Sequence, residues 1–191
     1  KPKFEFYDEE TGLQISLGKH VSKVFYRNQY LRAFKPGIMF LSAEVNIMTG
    51  KANELLTLSR DNVREERCSE LKRKISLSLS RFLIQNYSGF DDELKKHVSM
   101  FLNWNRKLIL SQIAADYIFP TDWESHMLTV LDKEKKEVQF SIKELMSFHI
   151  IKKYGDYYEH TEFLRKSGRG YVSFKFPVHS NSQSRDELTF L

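Results

Sequence analysis

Glu54-Leu-Leu-Thr-Leu-Ser-Arg-Asp-Asn-Val-Arg-Glu-Glu66 and the amphipathic stretch behind it decide how this chain folds. Beyond residue 60, apolar side chains recur at Cys68, Leu71, Ile75, Leu79, Phe82 and Leu83. Spacings of three and four put them on one face, so the periodicity predicts a helix over residues 60–87. Ile75 and Phe82 then point into the core while Lys72 and Arg81 stay accessible. Ser59 is of the N-cap type, which places Arg60 in the first helical turn. A cation there opposes the positive end of the helix dipole, costing roughly 0.3–1 kcal/mol unless something compensates. Free N–H groups at a helix start also bind anions. Arg60 therefore either completes a phosphate site or pairs with Asp61 beside it. Arg64, Arg67, Lys72, Arg73, Lys74 and Arg81 decorate the same helix, interleaved with acids as on an ordinary solvated face.

Working outward, residues 3–7 alternate apolar and polar, as do Leu13-Gln-Ile-Ser-Leu17. With the turn Asp8-Glu-Glu-Thr-Gly12 between them they read as a hairpin. Residues 23–31 carry the strand-prone Val24, Phe25, Tyr26 and Tyr30. Pro36-Gly37 is a break, and residues 38–48 are apolar enough for a buried strand. Downstream, Leu94, Val98, Phe101, Leu102, Leu108, Ile109 and Ile113 repeat the helical period over residues 91–117, as one helix or as two broken near 103–105. Thr121 with Glu124 and Ser141 with Glu144 have capping-box spacing. The first opens a short helix, the second a helix to about residue 153. Residues 138–140 and 171–176 read as strands, Ser167-Gly-Arg-Gly170 and 179–185 as loops. The fold class is α/β (α+β): a mixed sheet with packed helices, then a helical segment and a small α/β annex. The expected division is 1–90 and 91–191.

Leu55-Leu-Thr-Leu-Ser-Arg-Asp61, the helix behind it and Lys23-Val-Phe-Tyr-Arg-Asn-Gln-Tyr-Leu31 ahead of it resemble the middle, or transducer, domain of the ninety-kilodalton heat-shock chaperones. Those chaperones have wider GHKL-type ATPase relatives. In the chaperones the segment reads roughly Pro-Leu-Asn-x-Ser-Arg-Glu, and its arginine reaches the γ-phosphate of ATP held by a separate N-terminal domain. Ser59 and Arg60 match that motif directly and Asp61 conservatively. Leu55 replaces the proline, Thr57 the asparagine, and Arg64 stands where a nucleotide-assisting glutamine is usual. The resemblance spans about residues 20–90 and identifies a divergent relative. It implies a transducer-like fold in which Arg60 is the catalytic cation, with Ser59 and Arg64 also facing the nucleotide. It implies ATP and Mg2+ bound mainly by an upstream domain, coupling of ATP state to conformational change, a homodimer, a protein client or partner, and a cytoplasmic setting.

At 191 residues, 41% of them hydrophobic and 14% aromatic, the chain can bury a sizeable core. No apolar run approaches the roughly 18 residues of a transmembrane helix. A start at Lys1-Pro2 without methionine reads as a piece of a longer protein. Cys68 is the single cysteine, which excludes an internal disulfide and fits a reducing compartment. The net charge of +5 is spread among interleaved acids and does not mark a polyanion surface. There is no P-loop, dinucleotide fingerprint, His-Glu-x-x-His pair or nucleophile elbow. His20, His97, His126, His149, His160 and His179 never fall at metal-ligand spacing. The chain alone is thus expected to lack a self-sufficient catalytic site. The competing expectation is a non-enzymatic module that grips protein or nucleic acid with its basic helix and aromatic surface.

Overall fold

The computed structural model describes residues 6–18, 21–155, 158–167 and 170–175. It divides into two compact units, Lys1–Phe119 and Pro120–Leu191. The division lies between Phe119 and Pro120, beyond the boundary at residue 90 read from the sequence, and the helices in between group with the first sheet.

The first unit is a mixed sheet with helices packed on it, the α/β class expected. Strands β1 (Phe6–Asp8) and β2 (Leu13–Leu17) form the first hairpin. Its turn closes with the Gly12 N–H donating to the Asp8 carbonyl at 2.8 Å. Gly12 sits at φ +70, where a Cβ would also run into the Thr49 side chain. Residues 23–31 are not one strand but a second hairpin, β3 (Lys23–Tyr26) and β4 (Gln29–Tyr30). Arg27 and Asn28 turn it with φ of 44° and 69°, the left-handed pair that a two-residue hairpin turn demands. The Asn28 N–H donates to Asn46 Oδ1 at 3.0 Å, and Asn46 Nδ2 donates back to Asn28 Oδ1 at 2.8 Å. Of residues 38–48 only β5 (Ala43–Ile47) is a strand. It lies between the hairpins, antiparallel to β2 and parallel to β3, giving the order β1-β2-β5-β3-β4.

After the single turn α1 (Ala52–Leu55), helix α2 (Glu65–Asn86) packs on β2. Leu71, Ile75, Leu79, Phe82 and Leu83 are buried, as their spacing predicts. The Phe82 ring lies 5.6 Å from Phe6 and 6.4 Å from Phe90, centroid to centroid. The helical segment follows as α3 (Asp92–Trp104) and α4 (Arg106–Gln112), broken at Asn105. There the Asn105 backbone N–H and side-chain amide both donate to the Phe101 carbonyl. Asp91 caps α3 by accepting from the Leu94 N–H at 2.8 Å.

The second unit is the small annex. Strands β6 (Met127–Leu131) and β7 (Glu137–Ser141), helix α5 (Ile142–Met146), then β8 (His149–Gly155), β9 (Tyr158–Ser167) and β10 (Gly170–Lys175) make an antiparallel sheet ordered β7-β6-β10-β9-β8. The Ser141–Glu144 capping box is formed. Its helix ends at Met146, short of residue 153, because the chain is recruited into β8. Thr121 makes no side-chain cap, and Asp122–Ser125 form only a 3-10 turn. Ser167 closes β9 and Gly170 opens β10, while residues 168–169 and 179–185 lie outside the described ones. No helix among the described residues is long and apolar enough to cross a membrane.

Candidate functional site

Ser59 does not cap a helix. Helix α2 begins at Glu65 with Arg64 at the N-cap position, and the Arg64 side chain caps nothing. Residues 57–62 instead form a turn standing on an isolated antiparallel bridge between Leu56 and Val63, both fully buried. Above that base the Thr57 N–H donates to the Asn62 carbonyl, and the Arg60 N–H to the Thr57 carbonyl, each at 3.0 Å. Thr57 Oγ1 lies 3.1 Å from Ser59 Oγ, and Ser59 Oγ in turn donates to the Asp61 carboxylate. Ser59 and Asp61 thus satisfy each other inside the turn. The placement of Arg60 in a first helical turn falls with this geometry, because its φ of +57 is incompatible with a right-handed helix. A left-handed conformation costs a non-glycine residue roughly 1–2 kcal/mol, so the surrounding bonds must hold it there.

Those bonds come from outside the turn. Gln29 Nε2 donates to the Arg60 carbonyl at 3.0 Å, and the Ala33 N–H to the Asp61 carbonyl at 3.1 Å. Arg64 anchors the other side: its N–H donates to the Leu55 carbonyl at 2.9 Å and its Nε to the Leu56 carbonyl at 3.0 Å. Its Nη1 is 3.8 Å from Glu66 Oε1 at a half-exposed position. Arg64 therefore ties the turn to the helix start with one edge of its guanidinium. Arg60 is exposed, and among the described residues its guanidinium has neither an ion pair nor a hydrogen-bond partner. Pairing with Asp61, the bland alternative, is absent. Leu58, beside it, is 98% exposed. Arg32 and Lys35, on the segment that bonds the turn through Ala33, are exposed and likewise form no ion pair. The turn thus presents, on a fixed backbone, a guanidinium uncompensated among the described residues, suited to an anion with oxygen acceptors.

A second charged cluster, invisible to sequence reasoning, is structural. Asp8, 5% exposed, accepts from Ser78 Oγ at 2.5 Å and from Arg81 Nη1 at 3.1 and 3.2 Å. Arg81 also reaches Glu10 at 2.5 Å and is only 18% exposed, not accessible as its helical phase suggested. Burial works to raise the Asp8 pKa, but the Ser78 hydroxyl, the Arg81 charge and Thr11 outweigh it, holding the carboxyl below its ordinary range. No short motif marks this cluster, since its members lie some 70 residues apart in sequence.

Compared with known protein families, with curated proteins and with solved structures, the chain matches none.

Proposed function

We propose that this chain is the transducer region of a cytoplasmic ATPase similar to the heat-shock chaperones, in which Arg60 reaches the γ-phosphate of ATP held by an upstream domain. One observation carries the reading: an exposed guanidinium, without a counter-ion among the described residues, stands on a turn clamped at both flanks by hydrogen bonds to its backbone. These residues fit a polyphosphate. Arg60 has all its side-chain donors open among the described residues, Arg64 keeps its Nη groups outside the turn with Nη1 3.8 Å from Glu66, and Ser59 with Asp61 fixes the turn's shape without occupying the cation. Bound Mg2+·ATP supplies the electrophilic phosphorus and the leaving group. Arg60 opposes the charge that spreads over the transferring oxygens, and such a cation is worth ~10³–10⁵ in rate. Its backbone is already held by the turn, so only the side chain remains to be ordered for the reaction. The same docking couples ATP state to conformational change and to dimerisation.

The test is turnover in the full-length protein. Arg60→Ala should leave ATP affinity nearly intact and lower turnover by at least ~10²-fold, as for an interaction made mainly in the transition state. Arg60→Lys should rescue little, since an ammonium lacks the planar fork. Unchanged turnover in Arg60→Ala removes the reading.

A binding module is the second reading, favoured by Lys72 and Arg73, both exposed and without an ion pair among the described residues. Salt separates the two. A protein making several phosphate contacts to nucleic acid loses ~10³-fold or more in affinity from low to moderate salt. The ATPase reading expects no strong nucleic-acid binding at any salt.

A further inference from the structure

Below the Arg60 turn, the first unit holds a cleft of about 220 Å³ between the sheet, α1 and α2. Its apolar lining is Leu13, Ile47, Leu55 and Leu71, with Thr11 and Thr49 among them. Its charged lining is unequal. Lys51, Arg67 and Lys74 face Glu54 and Glu70, three cations against two carboxylates. Both acids are already engaged. Lys51 Nζ is 3.2 Å from Glu54, while the two oxygens of Glu70 go to Lys74 at 2.9 Å and Arg67 at 3.2 Å. Lys74 first and Arg67 after it hold the Glu70 carboxyl below its ordinary range, so it stays ionised and keeps its partners. Each cation thus has an acid beside it, but the lining as a whole keeps one net positive charge, because Lys74 and Arg67 share the single carboxylate of Glu70.

An aliphatic interior beneath a net cationic rim suits one chemical class. The volume is below the roughly 300–1,000 Å³ of drug-sized sites. We infer that this cleft binds a medium-chain monocarboxylate, its aliphatic body on the leucines and its carboxylate among Lys51, Arg67 and Lys74. Occupation is felt at the Arg60 turn. Leu55 belongs both to the cleft and to the turn's base, because its carbonyl takes the Arg64 N–H. Helix α1 is one turn with no buried residue, so it yields more readily than the sheet. The opposite wall is fixed, since Tyr26 Oη donates to the Gly50 carbonyl at 2.8 Å.

The experiment is methyl and amide NMR of this chain without nucleotide, titrated with octanoate, octylammonium and octanol. Octanoate should move the methyls of Leu13, Ile47, Leu55 and Leu71 saturably, and the amides of Arg60 and Asp61 with them. Octylammonium should not, octanol should bind at least tenfold more weakly, and Lys74→Glu or Lys51→Glu should weaken octanoate at least tenfold. No saturable shift overturns the site. Equal binding of the three probes, or unchanged affinity in both charge variants, overturns the carboxylate class. Methyl shifts without amide shifts overturn the coupling to the turn. Since no ATP is present, this outcome is independent of whether Arg60 acts on a phosphate.

Discussion

At Asp8 a single buried carboxylate gathers Ser78 and Arg81 from far along the chain, and Arg81 reaches Glu10 beside it. Arg81→Ala would strand that carboxylate in the core, and chemical denaturation should show a loss of about 3 kcal/mol. The pH dependence has a definite sign. The Asp8 pKa is lowered by folding, so its contribution is fully present above about pH 4 and is lost as pH falls below that through the folded-state value. Acid titration of stability should therefore steepen below pH 4 in the natural chain. Arg81→Ala should flatten that limb, because the largest charge holding the proton off is gone. At Arg60, by contrast, the sequence named the residue and missed its setting. Ser-Arg-Asp is a reasonable helix start locally, but Ser59 spends its hydroxyl on Asp61 and the bridge between Leu56 and Val63 closes the turn first. No local signal reports that bridge, since it depends on both partners being buried.

Helix α2 is the element most legible from sequence, because one strongly periodic apolar face needs only the 3.6-residue repeat to be seen. Phe82 is its test. Buried between Phe6 and Phe90, it should cost ~3–5 kcal/mol on truncation to alanine, read as a shift in denaturation midpoint. An unmoved midpoint would mean that the helix is rotated. The strands were harder. β4 has two residues and β3 four, too few for alternation to stand out, and Arg27-Asn28 lacks the glycine that usually announces such a turn. Helix α5 was overextended for a different reason. Its capping box is local and visible, whereas its end is imposed by pairing of β8 with β9, which sequence spacing does not reveal. For the candidate site the motif nominates residues, whereas the shape of the turn that carries them is not legible at all.

Across the whole molecule the division after Phe119 makes a sharp statement about which residues fold together. A chain ending at residue 119 should unfold cooperatively, with Val98, Phe101 and Leu102 in place. A chain ending at 90 loses that buried layer and also the Trp104 ring set against Phe40 at 5.9 Å, so its transition should broaden or vanish. Calorimetry on the two lengths distinguishes them. The strand order has a consequence in time. Each hairpin, β1-β2 and β3-β4, closes from neighbours in sequence, but the two are joined only through β5, whose partners in β2 lie about thirty residues back. Loop closure must be completed before that central strand is rewarded. Insertion of β5 is then the slow event in folding, and Val45→Ala should slow refolding more than it speeds unfolding in stopped-flow measurements. Until β5 arrives, the hairpins expose open edges, and the Arg60 turn, held by Gln29 on one and by α2 on the other side, has no fixed shape. The last strand to dock is the one that sets the shape of the Arg60 turn.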